Sequence, residues 1–285
     1  MEPPSDPVDL ARALGVAIDA AEAAGILLRT GARGPVEAWA KGTSGDVVTA
    51  LDLAAEDLIL RRLRGAYPEH RIISEEAGVV GSADGRLTWL VDPLDGTNNV
   101  AVGLPVYAVG LALCAGSVPV LGVVHDPLTA RTWSATCGGG ARGPDGALSG
   151  PSGPGRDRPV IAWTQGHAVG RDDPAARALK MVLEARSGRL LQLWAPLVAW
   201  VMLARGDIDG VVGYRTEMVD LPAGALIARE AGAVFRGADG GPYEVRLDEP
   251  EPTFVAARPA LVDRLLETVA DAARLAPRLA GLGPP

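Results

Sequence analysis

Apolar residues recur at helical spacing over residues 8–28, with Leu10, Leu14, Ala17, Ile18 and Ala21 on one stripe, and predict an amphipathic helix. A second helix is predicted over 51–63. Thr49 or Ala50 would start it, Tyr67-Pro68 would break it, and Leu53, Leu58, Ile59 and Leu63 would turn mostly to the core. Between these helices, 31–45 reads as loop or hairpin. Short apolar runs predict strands at 71–74 and 87–91, the second ended by Pro93, which cannot donate to a ladder. Residues 98–124 carry no charge and would be long enough to cross a bilayer. Gly103, Pro105, Gly116 and Pro119 interrupt them, however, and β-branched residues fill them. Strands at 106–114 and 118–125, joined by a turn at Ala115-Gly116-Ser117, explain the run better, and a strand at 131–135 completes a meander.

Residues 138–157 are dominated by Gly, Pro and Ser and have no apolar period. They read as a loop and a domain boundary, between an N-terminal part over 1–145 and a C-terminal part over 155–285. Beyond the loop, strands at 159–163, 190–193, 208–212 and near Phe254 alternate with helices at 174–185, 196–204, 221–231 and from 261 onward. That alternation argues for α/β layers.

Composition narrows the picture. The 285 residues, 48% hydrophobic and 22% charged, suffice for one large domain or two smaller ones with a real core. A net charge of −8 and a pI near 5.0 argue against a nucleic-acid or anionic-membrane partner. Lys41 and Lys180 are the only lysines. The two cysteines, Cys114 and Cys137, cannot build a disulfide framework and are expected as small core residues in a reducing compartment. The acidic, Pro-rich stretch 1–9 does not look like a secretory signal, so the expected location is cytoplasmic. His70, His125 and His167 are widely separated and offer no Ser-His-Asp logic, and Gly138-Gly139-Gly140 lacks the Lys-Ser/Thr of a P-loop.

The chemistry concentrates in Trp89-Leu90-Val91-Asp92-Pro93-Leu94-Asp95-Gly96-Thr97-Asn98-Asn99. Asp92 and Asp95 sit where an apolar strand leaves the core, a usual address for an α/β site. Two anions held close in a partly buried place need a positive partner, and a hard divalent cation suits carboxylate and carbonyl oxygens. Taken alone, the same residues could be a strand end with an Asp-Gly turn. Three further acidic segments are Asp46-Val47-Val48-Thr49-Ala50-Leu51-Asp52, Pro68 to Glu75-Glu76, and Asp220-Leu221-Pro222-Ala223-Gly224. Singly, they read as helix caps or solvated acids.

Together, in this order and spacing, the four segments resemble the inositol monophosphatase family of Mg²⁺-dependent, lithium-sensitive phosphatases. The resemblance implies a layered α/β fold, the αβαβα sandwich of sugar phosphatases. It also implies hydrolysis of a small phosphate monoester by metal-activated water, a cytoplasmic homodimer, and two or three Mg²⁺ ions, with Mn²⁺ as a substitute. By resemblance, Glu75, Asp92, the Leu94 carbonyl, Asp95 and Asp220 ligate metal. Glu75 and Thr97 orient the attacking water, and Asp52 accepts from the Thr97 hydroxyl. Gly96, Thr97 and Asn98 surround the phosphate, and Lys41 matches a family lysine near the metals. Asn98, Val100 and Val219 depart from the family pattern without touching a metal ligand. Trp194-Ala195-Pro196 replaces a small-residue segment that touches the inositol ring, and Gly213 stands where an acidic residue contacts its hydroxyls. The implied phosphate chemistry is intact while the alcohol pocket, with Trp194 and Gly213, is rebuilt. Inositol 1-phosphate is then the default substrate, and another polyol, sugar or amino-alcohol phosphate, such as histidinol phosphate, is the alternative. A non-catalytic metal-binding relative is the remaining possibility.

Overall fold

The computed structural model describes residues 9–280, apart from 33, 35, 42–45, 83–85 and 151–154. The acidic start of the chain thus lies outside the described residues up to position 8, as does Gly45 of the first acidic segment.

The first layer is a pair of helices, α1 (Leu10–Gly31) and α2 (Ala50–Ala66). Asp9 caps α1 by accepting from the Arg12 N–H at 2.9 Å. The buried face of α1 is nearly all alanine (Ala13, Ala17, Ala20, Ala21, Ala24), which lets it lie close to its neighbours. Thr49 caps α2 in a capping box with Asp52. Leu53, expected toward the core, is exposed, because the buried stripe of α2 runs through Asp52, Ala55, Glu56, Ile59 and Leu63 instead. The loop-or-hairpin segment pairs β1 (Ala38–Lys41) with β2 (Asp46–Thr49).

Among the described residues, the second layer is an eight-stranded sheet of order β10-β9-β8-β7-β6-β5-β3-β4. Its strands are β3 (Arg71–Ser74), β4 (Gly78–Gly81), β5 (Leu87–Asp95), β6 (Ala108–Ala115), β7 (Val118–Asp126), β8 (Arg131–Thr136), β9 (Gly140–Gly143) and β10 (Gly146–Ala147). β9 and β10 form a hairpin inside the stretch expected to be loop. Its glycines hid the strand signal, since they carry no side chain to show a period. Two further expectations fail here. β5 does not end at Pro93 but continues to Asp95 through a shift in register, and Cys137 is exposed rather than in the core.

The third layer is α5 (Pro196–Arg205) and α6 (Pro222–Glu230), packed between the two sheets. Gly224 permits their close crossing, since a Cβ there would stand 2.4 Å from the Trp200 Cβ. Trp200 stacks in turn on Phe235 and Phe254, each with centroids 5.6 Å away. Among the described residues, the fourth layer is a five-stranded sheet of order β12-β11-β13-β15-β14. Its strands are β11 (Val160–Gln165), β12 (Arg189–Leu191), β13 (Gly210–Tyr214), β14 (Val234–Gly237) and β15 (Phe254–Ala257). Helices α4 (Pro174–Arg186) and α7 (Val262–Leu279) cover its outer face. The result is an αβαβα sandwich of mixed sheets. Buried Asp209 pins one end of the second sheet, pairing with Arg258 at 2.8 Å and Arg156 at 2.9 Å and accepting from the Val160 N–H at 2.8 Å. Among the described residues, no helix is long and apolar enough to cross a membrane.

Candidate active site

The register shift in β5 builds the site. Side chains three apart on a regular strand point to opposite faces. Here Asp92 pairs with Gly110 and Asp95 with Ala108, so the segment around Pro93 holds one extra residue, a bulge. The extra residue changes the parity and turns both carboxylates to one side. Asp220, just before α6, joins them, and carboxylate oxygens of the three aspartates all lie within 4.8 Å of one another. Glu75 arrives because β3 runs parallel to β5 with Ser74 beside Val91, and its N–H donates to the Val91 carbonyl at 3.2 Å.

The cluster's electrostatics favour protons or a cation between the carboxylates. Asp92 and Asp95 are buried. Burial pushes the Asp92 carboxyl well above its usual range, and Glu75, Asp220 and Asp95 push it further. Asp95 is raised by burial and then by Asp220, opposed by the Leu197 N–H at the start of α5, which donates to its Oδ2 at 2.6 Å. The Asp92 Oδ1 accepts from the Leu94 N–H at 3.0 Å, while its Oδ2 is buried with no donor among the described residues. An all-oxygen set that includes a buried carboxylate oxygen with no donor among the described residues fits a hard divalent ion such as Mg²⁺ or Mn²⁺.

Thr97 opens the short helix α3 (Thr97–Ala101) after Gly96, whose φ of 100° suits glycine. A Cβ on Gly96 would also stand 2.8 Å from the Val106 carbonyl oxygen. The Thr97 hydroxyl lies 2.6 Å from the Asp52 Oδ1 and 2.9 Å from the Leu94 carbonyl oxygen. Asp52 is thus held twice, since its Oδ2 accepts from the Thr49 N–H at 2.9 Å and from the Thr49 hydroxyl. Burial raises its carboxyl, and these hydrogen bonds oppose the rise. Lys41 sits 3.0 Å from Glu75 and 2.8 Å from Glu76. Burial alone would lower its ammonium, but the two carboxylates outweigh burial and raise it.

Asp92, Asp95, Asp220 and Thr97 line a cavity of about 380 Å³ that also takes in Leu94, Gly96, Asn98 and Trp194. Glu75 lines it too but stands outside the tight trio of aspartates, drawn toward Lys41. Trp194 is 64% exposed, at a φ of 53° unusual for a non-glycine. Gly213 is not among the lining residues. It lies inside β13, where a Cβ would meet the Phe254 ring at 2.4 Å, so an acidic side chain at this position would have no room.

The sequence reading gave no role to two supporting residues, Glu56 and the Asn99 that closes the quoted motif. Glu56 is buried, and its Oε1 accepts from the Glu76 and Ala77 N–H groups, each at 3.0 Å, and from the Ser74 hydroxyl. It therefore fixes the turn that presents Glu75. The available signal was an acid one turn beyond Asp52 on the same buried stripe. Buried Asn99 donates to the Val106 and Leu193 carbonyls, both at 2.7 Å, and ties α3 to the loop carrying Trp194.

The chain is similar to known proteins over most of its length. The family model "Inositol monophosphatase family" matches residues 9–274. "Inositol monophosphatase 1" of Solanum lycopersicum is 32% identical over 263 residues, covering 88% of this chain and 94% of that protein. "Nus factor SuhB" of Escherichia coli K12 is 31% identical over 262 residues, covering 90% and 96%. The solved structure of an IMPase from Thermotoga maritima superposes with a TM-score of 0.81 at 24% identity, covering 93% of this chain and 99% of that one. The ordered acidic segments, the five-layer sandwich and these matches agree, and the chain belongs to the inositol monophosphatase family.

Proposed function

We propose that this protein hydrolyses small phosphate monoesters with Mg²⁺ and a water nucleophile. The observation that carries the reading is the convergence of Asp92, Asp95 and Asp220, with an orphaned Asp92 oxygen, in a cavity also walled by Gly96 and Thr97. Asp92, Asp95, Asp220, Glu75 and the Leu94 carbonyl would hold the metal. When bound, the metal supplies positive charge for the phosphoryl oxygens and acidifies a water.

The residues themselves do the rest. Asp52 fixes the Thr97 hydroxyl, so that the Thr97 oxygen faces the water and accepts one of its hydrogen bonds. Glu75 takes the water's other proton, and Lys41 balances the charge on the Glu75–Glu76 pair. Gly96, Thr97 and Asn98 surround the phosphate. The water oxygen bonds to phosphorus, the ester P–O bond breaks in line, the leaving oxygen takes a proton from solvent water, and Glu75 returns its proton to solvent.

Trp194 at the cavity mouth and the crowding around Gly213 favour an alcohol other than inositol, although inositol 1-phosphate stays in the test panel. Exposed Val102 and Leu104, in the loop after α3, support a homodimer, which light scattering would test. The second reading is metal binding without turnover, and one relative carries the name of a Nus factor rather than of a phosphatase. Phosphate release from an ester panel separates the two: Mg²⁺-dependent turnover lost in Asp95→Asn supports the enzyme, and metal binding without release supports the alternative.

A further inference from the structure

We propose that Lys180 and Arg171 form a distal anion subsite, so that the ester cleaved here carries a second anionic group on its leaving alcohol. The inference rests on the phosphatase reading and names its substrate class. The cavity that holds Asp92, Asp95 and Asp220 extends to a wall made by β11 and the start of the next layer, with Trp163, Gln165, Arg171 and Lys180 on it.

Lys180 is built into that wall rather than waving above it. Its Nζ donates to the Gln165 Oε1 at 2.9 Å, the same oxygen that accepts from the Trp163 indole N–H at 3.1 Å, and it lies 5.7 Å from the Trp163 ring centroid. Gln165 uses one of the three ammonium N–H donors. Among the described residues, no carboxylate is within ion-pair distance of Lys180, and Arg171 forms no ion pair. Asp173, the acid that bears on Lys180, is spent on the cap of α4, accepting from Ala175 and Ala176 at 2.9 and 2.8 Å and from the Tyr214 hydroxyl at 3.3 Å. Glu217, also on the wall, accepts from the His167 N–H at 2.9 Å.

The two lysines of the chain are therefore in opposite condition. Lys41 is neutralised by Glu75 and Glu76, while Lys180 is half-buried without a counterion. Burial pushes the Lys180 ammonium below its ordinary range, a cost that an anionic ligand removes. In a chain of net charge −8, a concave cationic wall facing an acidic metal nest is the arrangement that sorts a doubly anionic ester by its two ends. Phosphate and carboxylate share the needed chemistry.

The test compares three esters: glycerol 1-phosphate with a neutral leaving alcohol, 3-phosphoglycerate of nearly the same size with a carboxylate, and the larger fructose 1,6-bisphosphate with a second phosphate. Specificity (kcat/KM) is read in Mg²⁺, and affinity by calorimetry in Ca²⁺, which reports binding whether or not turnover occurs. The expected result is an advantage of about tenfold or more for an anion-bearing ester. It should shrink about tenfold in Lys180→Met and be partly kept in Lys180→Arg. Arg171→Gln, at the cavity rim, should give a smaller loss and serves if Lys180→Met does not fold. Equal affinities across the three esters, or an advantage untouched by these variants, would overturn the subsite. No phosphate release from any ester would instead overturn the phosphatase reading, while the affinity ratios would still decide the subsite.

Discussion

Replacing Asp92 with Asn should stabilise the metal-free protein and abolish its response to Mg²⁺. Carboxylate oxygens of Asp92, Asp95 and Asp220 lie within 4.8 Å of one another. At an effective dielectric near 20, each ionised pair at that separation repels by roughly 3.5 kcal/mol. The cluster limits this cost by holding protons, which is why Asp92 and Asp95 are raised. Asn keeps an oxygen for the Leu94 N–H and removes one charge. The relief is about 2 kcal/mol, the size of a buried polar group without a partner. A Tm rise of about 4 °C in EDTA follows for a chain of this length. A raised carboxyl contributes stability that is fully present below its unfolded value and lost as pH rises through the folded one. Metal-free wild type should therefore lose stability as pH climbs above the ordinary carboxylate range, and Asp92→Asn should flatten that slope. In Mg²⁺ at a hundredfold excess over Kd, wild type should gain about 2.7 kcal/mol and the variant almost nothing. Thermal unfolding across pH, with EDTA or Mg²⁺, reads all of these. A variant less stable than wild type in EDTA that still responds to Mg²⁺ would refute the reasoning.

Other outcomes follow from the same geometry. Thr97→Val, which keeps the shape but removes the hydroxyl held by Asp52, should cut turnover by about 10²- to 10³-fold with Mg²⁺ affinity nearly unchanged, read by steady-state kinetics and calorimetry. Glu56→Gln weakens charge-assisted bonds to the Glu75–Ala77 turn and should lower stability by about 1–2 kcal/mol and Mg²⁺ affinity severalfold, read by urea unfolding and calorimetry. Asp209→Ala strands Arg258 without its buried partner and should cost about 3–5 kcal/mol in urea unfolding while leaving metal affinity intact. Trp194→Ala should leave Tm within about 1 °C, since the ring is largely exposed, yet change relative KM values across an ester panel.

The helices were legible because their apolar stripes are long and their caps explicit. Asp9 and Thr49 start α1 and α2 close to where the pattern placed them. β6 and most of β7 showed as one charge-free run, since both are buried along most of their length. The edges were less legible. β4, β9 and β10 are short and glycine-bounded, so no alternation betrays them. In the site, four ordered acidic motifs pointed to Asp92, Asp95, Asp220 and Glu75 long before any geometry. The bulge at Pro93 could not be read, because Pro ends most ladders and here only shifts one. Glu56 and Asn99 were hidden for another reason: their partners are main-chain groups, Asn99's as far away as Leu193, which local pattern does not register.

The most direct test of the central claim is an anomalous difference map from crystals soaked in Mn²⁺ at the manganese edge. The account predicts at least one peak enclosed by carboxylate oxygens of Asp92, Asp95 and Asp220, with Glu75 swung toward it. Well-ordered carboxylates with no peak between them, or manganese bound only elsewhere on the molecule, would contradict it.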